Sequence, residues 1–94
     1  MTRVIWTRGA VEDVEAVNAY VARDSVRYAT LLAERIVAAV DRLETFPESG
    51  RVVPEVGDAS LREIIHGAYR IVYRIQAESV AVVTVHHAAR LLGA

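Results

Sequence analysis

The sequence predicts an α+β domain: an N-terminal strand and an antiparallel helical hairpin, packed on a mainly antiparallel sheet of three to four strands. Three observations carry this expectation. Apolar residues recur in three- and four-residue steps through two consecutive stretches of the first half. The second half holds short β-rich segments at 61–66, 69–76 and 79–87, and one of them, YRIVYRI, alternates strictly. Turn-forming residues separate these segments.

The elements follow in order. Residues 3–6, RVIW, form a short apolar run that suits an edge strand. From about Arg8 to Arg23, apolar residues fall at Val11, Val14, Val17, Tyr20 and Val21, the period of an amphipathic helix. Glu12, Asp13 and Glu15 lie in its first half, where the helix dipole favours carboxylates. Asp24 and Ser25 can cap a second helix, whose stripe runs through Ala29, Leu32, Ile36, Ala39, Val40, Leu43 and Phe46 and stops at Pro47. Neither helix can bury its stripe fully against the other, so a sheet must supply the remaining apolar surface. Between Pro47 and Ser60 both prolines, Gly50 and Gly57 predict a loop, with at most a short extended piece at Val52 and Val53. Gly67-Ala68 and roughly Ala77 to Ser79 are short enough to connect the last three strands as a meander.

A chain of 94 residues, 53% hydrophobic and 24% charged, has the composition of one ordered domain spanning 1–94. The absence of cysteine excludes disulfides and thiolate chemistry. The N-terminal stretch holds no hydrophobic region long enough for a signal peptide or a membrane span, so the expectation is a cytoplasmic protein without a membrane partner. All 11 basic residues are arginine, against 12 carboxylates, for a net charge of −1. Nucleic-acid affinity comes mainly from neutralised phosphates, so strong nonspecific binding is not expected. The planar fork of arginine suits carboxylates and phosphates, and so equally an acidic protein partner.

Alternation puts Tyr69, Ile71, Tyr73 and Ile75 on one face of a strand and Arg70, Val72, Arg74 and Gln76 on the other. The apolar face should meet the helices, leaving the arginines on the open side. There they are either a binding pair of cations or solvated charges, one of them paired with Glu63 across the hairpin. His86 and His87 are adjacent on a strand and point to opposite faces, so they cannot chelate one ion together, and neither a metal site nor a cofactor is expected. Register decides which histidine joins Arg70. A two-residue turn before the last strand puts His87 there, and one added residue puts His86 there. Metal-free hydrolysis of RNA needs a base, an acid and a cation on the phosphate, roles that Glu55, one of these histidines and Arg70 could fill. The competing reading of Glu55 is a solvated loop carboxylate. There is no Gly-rich phosphate loop, zinc-ligand spacing or nucleophile elbow.

Trp6 in the opening strand, the helix start at Gly9-Ala10, RLETFPESGR (42–51), VPE (53–55), LRE (61–63), YRIVYR (69–74) and VHHAARLL (85–92) together resemble the RelE/ParE superfamily of type II toxin–antitoxin toxins. The resemblance covers nearly the whole chain and implies the same strand, helical hairpin and sheet. It implies one of two activities. RelE-like members are ribosome-dependent endoribonucleases that cut messenger RNA, and ParE-like members bind DNA gyrase without being enzymes. Glu55, Arg70 and His86 or His87 match positions where the ribonucleases carry acid–base and phosphate-binding residues. Only Arg62 precedes Arg70 on the neighbouring strand, Ala88 and Ala89 follow the histidines, no tyrosine lies near the C-terminus, and the chain has no lysine. The ParE-like branch is therefore the favoured expectation, with the ribonuclease and an inactive antitoxin-binding homologue as alternatives. Under it Arg62, Arg70, Arg74 and Arg90 become partner-binding residues, for gyrase or for an acidic, partly disordered cognate antitoxin that folds across the hairpin and sheet.

Overall fold

The computed structural model describes residues 1–89. Strand β1 (Arg3–Trp6) leads into helix α1 (Arg8–Ala22), helix α2 (Val26–Asp41) and a 3₁₀ turn (Arg42–Glu44). Four more strands follow: β2 (Arg51–Val52), β3 (Leu61–His66), β4 (Tyr69–Ile75) and β5 (Ser79–His87). They form one five-stranded sheet in the order β1-β5-β4-β3-β2, antiparallel throughout except where β1 runs parallel to β5. The expected α+β architecture is present. The sheet has five strands where three to four were expected, because Arg51–Val52, one residue ahead of the short extended piece anticipated at Val52 and Val53, pairs with β3 as the edge strand β2.

Local chemistry accounts for the helix boundaries. Thr7 caps α1, its hydroxyl accepting from the Ala10 N–H at 3.1 Å. The same hydroxyl donates to the Val82 carbonyl at 2.8 Å, which ties the helix start to β5. Ser25, rather than Asp24, caps α2 by accepting from the Tyr28 N–H. The stripe of α2 is buried as its period requires: Ala29 is buried, and Leu32, Ile36, Ala39 and Val40, with Leu43 beyond, cluster with Ile71, Tyr73, Val80, Val82 and Val85. Phe46 departs from the expected stripe and is 62% exposed. A tighter 3₁₀ turn follows Asp41, the Thr45 N–H donating to the Arg42 carbonyl three residues back, and the helix ends there, before Phe46. On α1 only Val14, Val17 and Val21 of the expected stripe reach the core, while Val11 and Tyr20 remain exposed.

The hairpin of β4 and β5 resolves the histidine register in a way neither turn alternative anticipated. The Gln76 N–H bonds to the Ser79 carbonyl across a two-residue turn, and Ile75, Arg74 and Tyr73 pair with Val80, Ala81 and Val82. A β-bulge then inserts Val83, so that Val72 pairs with Thr84 and Arg70 with His86. The extra residue lies inside the strand rather than in the turn. It brings Val82 and Val85, three positions apart, onto the same core face and sends His86 to the face of Arg70.

Candidate functional site

The sheet face turned away from the helices carries Arg70, Val72 and Arg74 from β4, Leu61 and Glu63 from β3, and Arg51 from β2. A small apolar cluster of Val53, Leu61 and Val72 sits on it and pins the loop after β2, through burial of Val53 and its N–H bond to the Leu61 carbonyl. That anchor folds residues 53–57 over the sheet, where the Val56 and Gly57 N–H groups both return to the Val53 carbonyl. Gly57, at φ +71°, adopts the left-handed conformation that glycine takes without steric cost.

The loop delivers Glu55 onto Arg70. Nη1 of Arg70 donates to one oxygen of Glu55 at 2.6 Å and Nη2 donates to the other at 3.0 Å. From the opposite side Nε donates to Glu63 at 2.9 Å, and Nη2 also bonds to that carboxylate. Glu63 accepts in addition from Nε of Arg51, which lies on the exposed edge strand. Among the described residues, these bonds join two arginines and two glutamates. At the centre the side chain of Arg70 is 5% exposed and that of Glu63 fully buried. The hydrogen bonds from Arg70, foremost to Glu55, raise its pKa against the opposing effect of burial.

The expectation of a solvated Arg70 is corrected here. It does lie on the open sheet face, but the loop covers it and two carboxylates engage it. The alternative weighed for one arginine, an ion pair with Glu63 across the hairpin, is present, and Glu55 is its second carboxylate rather than a free loop charge. Arg74 is exposed, donates to the Ser60 hydroxyl at 3.1 Å and lies 3.7 Å from Asp58. The Ser60 N–H, then its hydroxyl, lower the pKa of Asp58. Arg62 sits on the other face, paired with Tyr73, and spends its guanidinium on the carbonyls of Glu48, Gly50 and Ala59. Arg62 therefore does not share a surface with Arg70 and Arg74, because neighbouring pairs on β3 and β4 alternate across the sheet. Arg90, expected to bind a partner, lies outside the described residues.

His86 is largely buried beside Arg70, its Nδ1 3.4 Å from the Thr84 hydroxyl. His87 faces the helices, meets the Tyr69 ring edge-on at 5.9 Å and accepts from the Ala89 N–H. The structure thus brings Glu55, Arg70 and His86 to one face and separates His87 from them. Arg51 is the member of the network that the sequence reading missed. It stands at the end of RLETFPESGR, and its pairing opposite Glu63 depends on a two-residue strand without readable periodicity. No group of three metal-ligating side chains occurs among the described residues.

Concave surface lies beside the network as well as away from it: a depression of about 460 Å³ is lined by Arg42, Phe46, Gly50, Arg51, Glu63 and Ile65. An apolar depression between the helices is lined by Trp6, Val11, Val14, Glu15 and Val37, and a second, along α2, by Ala33, Glu34, Val37, Ala38 and Asp41. A groove of about 390 Å³ between α1 and the ends of β4 and β5 includes Asp13, Val17, Tyr20, Tyr69 and His87. No described helix is long and apolar enough to cross a membrane.

Comparison with known proteins places this geometry in context. Residues 4–92 match the family model described as the ParE toxin of the type II toxin–antitoxin system, parDE. The chain is 36% identical over 92 residues to a protein of Caulobacter vibrioides named Toxin RelE2, covering 97% of this chain and 100% of that one. A solved structure described as the chromosomal ParDE TA system from P. aeruginosa superposes with a TM-score of 0.76 at 20% identity, covering 93% of this chain and 96% of that one. The superposition is a likeness of fold.

Proposed function

The chain belongs to the ParE toxin family of type II toxin–antitoxin systems, and from that premise we propose that it inhibits growth by binding DNA gyrase, without catalysis of its own, and that a cognate antitoxin neutralises it. The observation that carries this reading is the occupied fork of Arg70. A metal-free ribonuclease needs a cation on the scissile phosphate and an unengaged base. Here the best-placed cation is covered, and the loop carboxylate that would serve as base is bonded to it through both oxygens. The charge balance agrees, since a chain of net charge −1 has little long-range attraction for a ribosomal RNA surface.

The antitoxin reading rests on the apolar depressions along α1 and α2. Exposed Val11 and Val37, with partly buried Trp6 and Val14, offer a seat for the apolar face of a segment that folds on binding. Glu15, Glu34 and Asp41 border these depressions, so the segment seated there carries basic residues beside its apolar anchors. Acidic parts of the same antitoxin would be met on the arginine-bearing side, at exposed Arg74 and Arg51.

The deciding experiment assays the purified protein side by side on gyrase supercoiling and on ribosome-bound messenger RNA. Inhibition of supercoiling with intact messenger supports the proposal. Messenger cleavage that is lost on Arg70→Ala and on His86→Ala, with gyrase unaffected, would replace it by the RelE-like alternative. Activity on neither target, with growth unaffected on expression, would identify an antitoxin-binding homologue without toxicity.

A further inference from the structure

We propose that the trough beside β3, where that strand runs on past the end of β2, is the surface by which the toxin holds its target, and that the target presents there an extended acidic segment that adds to the sheet edge. The target meant is that of the preceding reading, DNA gyrase, on which this assignment rests.

The bare edge has a physical cause in the stretch RLETFPESGR. β2 pairs with β3 at Arg51 and Val52 alone. The ladder stops there because the preceding segment is drawn aside: the Gly50 N–H donates to the Tyr73 hydroxyl, which donates to the Pro47 carbonyl, and Arg62 donates to the carbonyls of Glu48 and Gly50. Only glycine fits at position 50, where a Cβ would stand 2.7 Å from the Glu63 carbonyl oxygen and from the Tyr73 hydroxyl. β3 meanwhile continues to His66. The Val53 N–H bonds to the Leu61 carbonyl, so strand alternation turns the backbone groups of Leu61, Glu63 and Ile65 toward the β2 side. Those of Ile65 meet no partner on that side among the described residues. An unpaired donor and acceptor on a strand edge are a template for another strand.

The side chains around this edge define the segment it takes. An added strand sends alternate side chains to the two faces of the sheet. In the adjoining depression Phe46 and Ile65, both large and exposed, offer them apolar contacts. Arg42, also lining it, is exposed and makes no ion pair among the described residues, whereas Arg51 is engaged by Glu63. Arg35, two turns earlier on the same flank of α2, is exposed as well. Acidic side chains on the incoming segment answer these cations. The opposite flank of α2 differs in sign. At about 100° per residue, Val37 and Ala39 point to opposite flanks, and the depressions on the Val37 side are bordered by Glu15, Glu34 and Asp41. The antitoxin segment seated there carries basic residues, so the trough, which calls for acidic ones, is assigned to the target.

The test measures inhibition of gyrase supercoiling, and co-purification with the antitoxin of the toxin's own operon, for the wild type, Arg42→Glu, Phe46→Ala and Ile65→Pro. Proline at position 65 removes the outward N–H and, by the same alternation, spares the N–H groups that β3 gives to β4. Arg8→Glu, the same change of charge at the start of α1, is the control. Each trough variant is expected to need about tenfold more protein for half-inhibition, the scale of losing one anchor at an interface, with the control and antitoxin binding unchanged and far-ultraviolet circular dichroism as in the wild type. Wild-type inhibition by the folded trough variants overturns the proposal and leaves the gyrase reading standing. Loss of the antitoxin in those variants also overturns it, because the trough would then belong to the antitoxin. A wild type without effect on gyrase overturns both. Should Ile65→Pro fail to fold, Arg42→Glu and Phe46→Ala, both at exposed side chains, decide alone.

Discussion

At the scale of single residues, Tyr73 joins β4 to the loop after α2 through one hydroxyl. It donates to the Pro47 carbonyl at 2.7 Å and accepts from the Gly50 N–H at 2.9 Å, with the ring fully buried. Tyr73→Phe removes both partners at once and is expected to cost about 1–3 kcal/mol, read as a fall in denaturation midpoint, because the Gly50 N–H is buried and stays unsatisfied. The pH dependence follows from the same burial, which raises the Tyr73 pKa above its ordinary 10.0. As pH climbs past that value the unfolded chain loses its phenolic proton first. The stabilisation is therefore complete below the ordinary value and is lost as pH rises through the raised folded one. Alkaline destabilisation of the wild type should exceed that of the phenylalanine variant, and parallel pH–stability curves for the two proteins would contradict this. Glu63 makes a sharper case. Glu63→Ala takes from buried Arg70 the carboxylate behind its fork, and removing one partner of a buried pair costs about 3–5 kcal/mol. Glu63→Ala should therefore destabilise far more than Arg51→Ala, whose side chain is 63% exposed.

Between elements, Asp13 solves a problem created by the shortness of β1. Parallel pairing with β5 ends at Trp6 and Val82, so the edge of β5 beyond the bulge would be bare. Asp13 on α1 covers it, one carboxylate oxygen accepting from the Val85 N–H at 3.0 Å and from the Thr84 hydroxyl at 2.7 Å. Asp13→Ala is expected to cost about 1–3 kcal/mol and to speed hydrogen exchange at the Val85 amide, whereas Glu12→Ala, on the exposed side of the same helix, should do neither. The strand 69–75 and the buried stripe of α2 were legible because their periodicity is written in apolar side chains, and 61–66 and 79–87 because they are β-rich segments set between turn residues. The bulge was not, because VAVVTV is a run of β-branched residues and alanine without a glycine or a break in pattern to mark Val83. Hence the face of Arg70 could be read from β4, but the identity of the histidine opposite it could not. Nor could the covering of Arg70 be read. It depends on a loop rich in proline and glycine, whose path over the sheet is set by burial of Val53 rather than by any repeat.

Across the whole molecule, the sheet is completed by the union of the chain's start with its last described strand. Arg3 pairs with Ser79 and Trp6 with Val82, so β1 docks only when β5 is already in place. The long sequence separation makes this closure entropically expensive, and the core compensates, since Val4 and Trp6 pack against the same cluster as Ile36, Ile71 and Val80. Thr7, capping α1 and bonding to Val82, then couples the helical hairpin to that closure. A strand tied in this way should not fray independently. Trp6, the only tryptophan in the chain, reports its docking directly. Denaturant unfolding followed by Trp6 fluorescence and by far-ultraviolet circular dichroism should therefore give coincident transitions, as one cooperative unit requires. A fluorescence transition at lower denaturant would mean that β1 leaves first and that the remaining sheet and hairpin survive it. Thr7→Val should then serve as the discriminating variant: coupling through the cap lowers both transitions together, whereas an independently fraying strand would show the loss in fluorescence alone.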